Sequence, residues 1–401
     1  NIGDRWAAFV FPLAFLAGEF TRAYLPLGGF TWGGLGYSQH DYVAFLKLAP
    51  YTGVWGLSLV VAAVGALVAE AVAVATGGVK RRGRGVVLAL SAAGLVLVPG
   101  LLPAGSPQGR KATVAMVQGN LPLSDQGTPE SDDFEVLQSH AELTGRLEPN
   151  EAALVVWPES TLDVNPEEVP DFLEVVRASI RAAEAPLLLG TSIDVDQSSF
   201  RNASLLYSAA GKLTGSYDKM HLVPYGEYVP GRRLFEPVFE QLGSVPRDGI
   251  PGTRPVVFSI PEGSFSVAIC YESTFPELVR SFVEEGARLL IVSTNNSSFG
   301  RTAASSQHVA FSQLRAAEHR MWIAHTALTG ISAVVAPDGR VIEETGLFER
   351  ALLTPEVQFA TAPTLYARAG DWVPIAALIA LGGLWLLPVL QLLLRRRRGG
   401  P

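Results

Sequence analysis

The chain has 401 residues, of which 48% are hydrophobic and only 17% charged, with a net charge of -7 and one cysteine. The charged share falls below the roughly 25% usual for soluble domains, which points part of the chain toward lipid, and a single cysteine excludes an internal disulfide. Charge is also divided: residues 112–371 hold 18 Lys and Arg against 34 Asp and Glu, whereas the flanks hold 13 against 4. An acidic middle of this kind speaks against nucleic acid as a partner, and basic flanks fit the ends of membrane spans.

The first residue is Asn1 rather than Met, and no basic start with a cleavage site follows it. A truncated or naturally short chain is therefore expected. Four apolar stretches approach the ~20 residues that cross a bilayer. They are "WAAFVFPLAFLAGEFTRAYL" (6–25), "VWGLSLVVAAVGALVAEAVAVA" (54–75), "VVLALSAAGLVLVPGLLP" (86–103) and "VPIAALIALGGLWLLPVLQLLL" (373–394). Buried core helices are the soluble alternative, but four such runs with charged flanks are hard to bury in one small core. Glu19 and Arg22 lie three apart on the first stretch. They either pair on one helix face or reach the interface where the span ends.

Residues 26–50, rich in Gly and aromatics, read as an outer-face arm dipping into the headgroup layer, with an ordinary loop as the alternative. "KRRGRG" (80–85) and "RRRR" (395–398) both mark cytoplasmic ends under the positive-inside rule. The resulting map places spans at 1–25, 51–76, 86–104 and 372–394. A basic loop (77–85) and a basic tail (395–401) lie inside, and a large domain (110–370) lies outside.

That domain alternates strand and helix patterns and is expected to be α/β. Candidate strands are "TVAMVQGN", "ALVVWPES", "PLLLGTSID", "ASLLYSA", "VVFSI", "FSVAICYE", "RLLIVSTNN" and "ISAVVAPDGR". Helical patterns cover 132–147, 168–184, 276–285 and 304–321. "ASLLYSAAGKLTGSY" reads as a hairpin turning at Gly211, which makes the sheet mixed.

Three polar residues follow apolar strands: Glu159 in "LVVWPES", Lys219 in "GSYDKMHLVPYGEYVP" and Cys270 in "VAICYES". Strand ends are where α/β sheets bind ligands. A thiol of ordinary pKa, about 8.5, is only a few per cent ionised at neutral pH, so it needs a base to attack an ester or amide. A partly buried Glu159 suits that task, and Lys219 suits the stabilisation of a thiolate or oxyanion. The helix begun by "FPELV" is expected to turn backbone N–H groups toward that oxyanion. Taken singly, the cysteine reads as a small buried hydrophobe, the glutamate as a turn residue and the lysine as a solvated one. The six histidines form no ligand-spaced cluster; His308 and His319 stand eleven apart, so no metal is expected.

"VVWPES", "YDKMHLVPYGEYVP" and "VAICYESTFPE", in this order, resemble the nitrilase superfamily, an α-β-β-α sandwich with a Glu-Lys-Cys triad. "GEFTR", "GGFTWGGLGYSQ", "LAPYTGVWGLSLVV", "VAMVQGN" and "YARAGDW" resemble its membrane branch, the apolipoprotein N-acyltransferases, over nearly the whole chain. The resemblance implies a nitrilase-like domain inserted between transmembrane helices, with Glu159 as general base, Lys219 as catalytic lysine and Cys270 as nucleophile. Glu227, Tyr271 and Glu272 match supporting positions. It further implies a phospholipid acyl donor, a thioester on Cys270 and a diacylglyceryl-lipoprotein acceptor. No cofactor is implied, and the site is the outer, periplasmic side of the bacterial inner membrane.

Departures from the family pattern are fewer N-terminal spans, no tryptophan near Gly127, and "NNSSFG" (295–300) in place of Asn-Asp-Ala-Trp-Phe-Gly, with Ser298 for the aromatic. A membrane-tethered amidase and a catalytically silent lipid-binding homologue are the alternative functions.

Overall fold

The computed structural model describes residues 7–26, 28–76, 82–105, 109–121, 133–232 and 245–398. The Gly127 position and much of the basic loop lie outside the described residues. The chain divides into two compact units, residues 1–104 with 364–401, and residues 105–363.

The first unit is helical. Its main helices are Ala7–Tyr24, Ala49–Thr76, Arg82–Leu97 and Trp372–Arg398. Two stretches, Ala49–Thr76 and Gly83–Leu101, are long and apolar enough to cross a membrane. Val72, Leu90 and Ile379 on these helices are 59%, 67% and 70% exposed, an arrangement that water penalises and lipid does not. The long helix is broken at Gly53, whose φ is 64°. Only glycine fits there, because a Cβ would come within 2.5 Å of the Tyr366 ring.

Asp371, nearly buried, knots the unit together. It accepts hydrogen bonds from Trp55 Nε1 at 3.0 Å, Tyr24 OH at 3.0 Å and Tyr366 OH at 3.2 Å. In segment 26–50, Thr31, Tyr37, Phe45 and Leu46 are buried while Phe30 and Tyr42 stay exposed. Glu19 and Arg22 both turn onto this segment: Glu19 accepts from the Leu35 N–H, and Arg22 donates to the Trp32 carbonyl at 2.6 Å. Backbone groups of a glycine-rich turn need partners away from water, which accounts for where these two charges go.

The second unit is a sandwich. Its first sheet contains β1 (Lys111–Gln118), β2 (Leu154–Leu162), β3 (Leu187–Asp196), β4 (Ser199–Tyr207), β5 (Leu213–Asp218) and β6 (Asp248–Gly249). The second contains β7 (Phe258–Ile260), β8 (Gly263–Ile269), β9 (Leu290–Thr294), β10 (Ile323–Ala327), β11 (Ala333–Val335) and β12 (Val341–Glu344). The chain then returns to the first sheet, where β13 (Ala351–Leu353) and β14 (Glu356–Gln358) pair with β1.

Both sheets are mixed. The pairs β1–β2, β2–β3, β8–β9 and β9–β10 are parallel, and β3–β4–β5 run antiparallel through a hairpin with Gly211 at φ 73°. Helices Asp133–Thr144 and Pro170–Ala183 cover the first sheet, burying Leu137, Leu143, Val176 and Ile180 against Val155, Trp157, Leu187 and Leu189. The alternate residues Val114, Met116 and Val156 are equally buried on the opposite face. Strands covered on both faces are continuous apolar runs, which is the pattern of "LVVW" and "LLLG". The order is helix, sheet, sheet, helix, an α/β sandwich of the nitrilase type.

Candidate active site

Glu159 lies within β2 rather than beyond it, at a break in the β2–β3 register between Trp157 and Leu162. Its neighbour Ser160 has a φ of 56°, so an irregular strand re-aims the carboxylate. Lys219 follows the last residue of β5 and is 1% exposed. Its Nζ donates to Glu159 Oε1 at 3.0 Å and to Glu227 Oε1 at 2.9 Å. An ammonium this deeply buried is tolerable because two carboxylates share it. Burial alone would depress the Lys219 pKa, but Glu159 and Glu227 outweigh it and hold the group well above its ordinary value.

Cys270 begins a 3-10 turn, Cys270–Thr274, immediately after β8, in the left-handed region at φ 53°. Positive φ costs a non-glycine residue on the order of 1–3 kcal/mol and is kept where surroundings enforce it. Here the Cys270 carbonyl is gripped by Ser273 Oγ and His308 Nε2, each at 3.0 Å. The helix begun by "FPELV" starts at Pro276, as expected, and the turn between it and β8 is 3-10. The cysteine retains some accessible surface. Dense packing pushes its thiol up, the Glu159 charge pushes further, and Lys219 and a hydrogen bond from Thr294 offset only part, leaving a pKa of about 12. The resting sulfur is therefore protonated, against the ordinary thiol pKa used above.

Glu272 is completely buried and links two parts of the site. Oε1 accepts from Tyr217 OH at 2.8 Å and from the N–H groups of Met220 at 2.6 Å and His221 at 3.1 Å, and Oε2 accepts from Ile269 N–H at 2.8 Å. One carboxylate thus fixes the chain after Lys219 to the chain before Cys270. Burial pushes Glu272 up to about 7, while these donors stabilise its charge. Tyr271 packs edge-on to Phe275 at 4.9 Å and is half-buried, its pKa raised to about 12 by burial and by Tyr228. Ser298 sits exposed in the short turn Ser297–Phe299.

Four residues in this network were not singled out from the sequence for any part in it. Asn202 on β4 donates one Nδ2 to both Glu159 Oε1 at 2.7 Å and Glu227 Oε1 at 2.9 Å. Asn295 N–H donates to Glu159 Oε2 at 3.0 Å, completing the carboxylate's partners. Thr294 is among the groups that lower the Cys270 pKa, and His308 Nε2 lies 3.0 Å from the carbonyl of the same cysteine. The available signal was a polar residue inside a buried strand, as in "RNASLLY" and "IVSTNN". Among the described residues no group of three or more His, Cys, Asp and Glu is placed to hold a metal ion.

A two-sheet sandwich with a cysteine beside a lysine shared by two glutamates defines a carbon-nitrogen hydrolase, and residues 113–365 match the family profile of that description. Residues 2–67 match a second profile, the apolipoprotein N-acyltransferase N-terminal domain. An apolipoprotein N-acyltransferase of Geobacter metallireducens is 30% identical over 391 residues, covering 93% of this chain and 73% of that protein. One from Methylococcus capsulatus is 30% identical over 386 residues, covering 94% and 73%. The chain belongs to the apolipoprotein N-acyltransferase family and is an enzyme of the transferase branch of the carbon-nitrogen hydrolases. Among solved structures, an amidase from Nesterenkonia sp. is 20% identical, covering 64% of this chain and 94% of that one with a TM-score of 0.46.

Proposed function

We propose that Cys270 takes an acyl chain from a phospholipid as a thioester and passes it to the α-amino group of a lipoprotein's N-terminal diacylglyceryl-cysteine. The observation that carries this reading is Lys219 Nζ held between Glu159 and Glu227 within the electrostatic reach of Cys270, in a chain whose relatives are apolipoprotein N-acyltransferases.

In the first step Glu159 accepts the Cys270 proton as sulfur attacks the ester carbonyl. The proton transfer removes the negative charge that opposes thiolate formation, so deprotonation and attack are coupled. Lys219 stabilises the tetrahedral oxyanion, and Glu227 and Asn202 hold the lysine and the base in register. Collapse expels the lysophospholipid oxygen, which takes the proton back from Glu159. In the second step the acceptor amine attacks the thioester, Glu159 takes its proton and then returns it to the departing sulfur. Glu272 serves as a positioning residue between the lysine and the cysteine.

The apolar helices support a membrane setting, which is where both proposed substrates reside. The Lys/Arg runs at 80–85 and 395–398 support a multi-pass topology in the bacterial inner membrane with the sandwich on the outer side. Membranes carrying the chain, incubated with acyl-labelled phospholipid, test the proposal. Label on the Cys270 peptide that moves to a lipopeptide amine supports it, and loading by Cys270→Ala would refute it. Release of label as free acid indicates an amidase-type hydrolase, and no label indicates a silent lipid-binding protein.

A further inference from the structure

Arg301 stands apart from the network around Cys270, on the loop between the short turn Ser297–Phe299 and the helix Ala304–His319. The residue is exposed, and its guanidinium carbon lies over the Phe348 ring, 5.3 Å from the centroid. Among the described residues that ring is its only partner: no carboxylate pairs with it, and no acceptor takes its N–H groups. Residues 112–371 hold 34 Asp and Glu against 18 Lys and Arg. A shortage of acids therefore does not explain a cation left without one.

Phe348 is a platform held in place by its neighbours. Its φ is 56°, a conformation that a bulky side chain adopts only where its surroundings enforce it. Two hydrogen bonds do so: its N–H donates to the Thr329 carbonyl at 2.8 Å, and its carbonyl accepts from Asn120 Nδ2 at 3.2 Å. Thr329 in turn donates its hydroxyl to the Asn295 carbonyl at 3.0 Å, and the Asn295 N–H holds Glu159 Oε2 at 3.0 Å. Arg301 follows Asn295 on the same loop, so the cation and its platform are both tied to the proposed base. A cation over an aromatic face is held electrostatically while its N–H donors stay available. Planar, paired donors of this kind match a phosphate.

We propose that Arg301, held by Phe348, binds the phosphate of the phospholipid acyl donor and so selects phosphate-bearing lipids over neutral ones. The inference rests on the phospholipid-donor reading above and names the part of the donor that this chain recognises. The contact touches neither the acyl carbonyl nor the groups that move protons, so it acts on donor binding rather than on the chemical steps.

Cys270 is the only cysteine, so its protection from iodoacetamide reports occupancy of the site in the full chain without any acyl transfer. The probe is a short-chain diether phospholipid, which carries the phosphate but no ester to cleave. Its control is the matching diether glycerol, which lacks the phosphate. Arg301→Gln is expected to raise the half-protecting concentration of the phospholipid about tenfold and to leave that of the neutral lipid within about twofold. Phe348→Leu removes the platform and is expected to raise it about threefold. Arg301→Lys keeps the charge without the planar fork and falls between the parent and Arg301→Gln. In loading from acyl-labelled phospholipid, Arg301→Gln raises KM about tenfold with kcat within about twofold.

Equal protection of the parent and Arg301→Gln by the phospholipid overturns the proposal, as does an equal loss for both probes or a fall in kcat with KM unchanged. Protection by inorganic phosphate alone at the same concentrations assigns the site to free phosphate and overturns the lipid assignment. Arg301 is exposed, so its variants decide the matter should Phe348→Leu not fold. An unsubstituted chain that takes no label from phospholipid, yet shows protection that depends on Arg301, counts against acyl transfer alone and supports the binding site.

Discussion

Replacing Glu159 with Gln keeps the shape of the site while removing its proposed base. The Cys270 thiol, with a pKa of about 12, is ionised in only about one molecule in 10⁵ at pH 7, a cost of about 7 kcal/mol for spontaneous ionisation. Coupled transfer to Glu159 circumvents that cost, so Glu159→Gln should slow acyl loading at pH 7 by roughly 10²–10⁴. Yet the Glu159 charge is the largest influence after burial that raises the thiol pKa, and the lowering effects of Lys219 and Thr294 remain. The alkylation midpoint of Cys270 should therefore move to lower pH in the same variant. The assay pairs label transfer from phospholipid with iodoacetamide rates across pH 7 to 11. Loading at the parental rate, or a midpoint that rises, would refute the reasoning, since a base and a repelling charge cannot both be absent without trace.

Asn202→Leu removes one donor shared by a buried carboxylate, Glu159, and a partly buried one, Glu227, and is expected to cost about 3 kcal/mol and lower acyl loading about a hundredfold, read by thermal unfolding and label transfer. Acid should unfold the sandwich through its buried histidines. Burial lowers the pKa of His140 to about 4 against an ordinary 6.5, so its neutral form contributes stability that is present above pH 6.5 and lost as pH falls through 4. The contribution is about 3 kcal/mol, and His140→Gln should flatten the Tm profile in that window. In the helical unit, Asp371→Asn replaces one of two accepting oxygens shared by Trp55, Tyr24 and Tyr366, and a loss of about 1–3 kcal/mol is expected in detergent unfolding.

Local pattern made much of this legible. The helices predicted at 132–147, 168–184, 276–285 and 304–321 are observed at Asp133–Thr144, Pro170–Ala183, Pro276–Glu284 and Ala304–His319. The hairpin at Gly211 also forms, because an apolar run and a glycine at positive φ are local signals. The strand expected over "ISAVVAPDGR" splits into β11 and a turn leading to β12, since its proline and Asp-Gly pair interrupt pairing. The strands β13 and β14 carry no such signal of their own; they exist by pairing back onto β1.

Residue type and order along the chain determined which groups carry chemistry: one thiol, one lysine and the glutamates, each near the end of an apolar run. Only the tertiary structure decided that Lys219 is shared by two carboxylates, that the thiol rests protonated, and that Asn202, Thr294 and His308 belong with them. The physical reason is that pKa and hydrogen-bond partnership depend on dielectric and distance. Both are set when strands far apart in sequence, such as β2, β4 and β8, close around the same few ångströms.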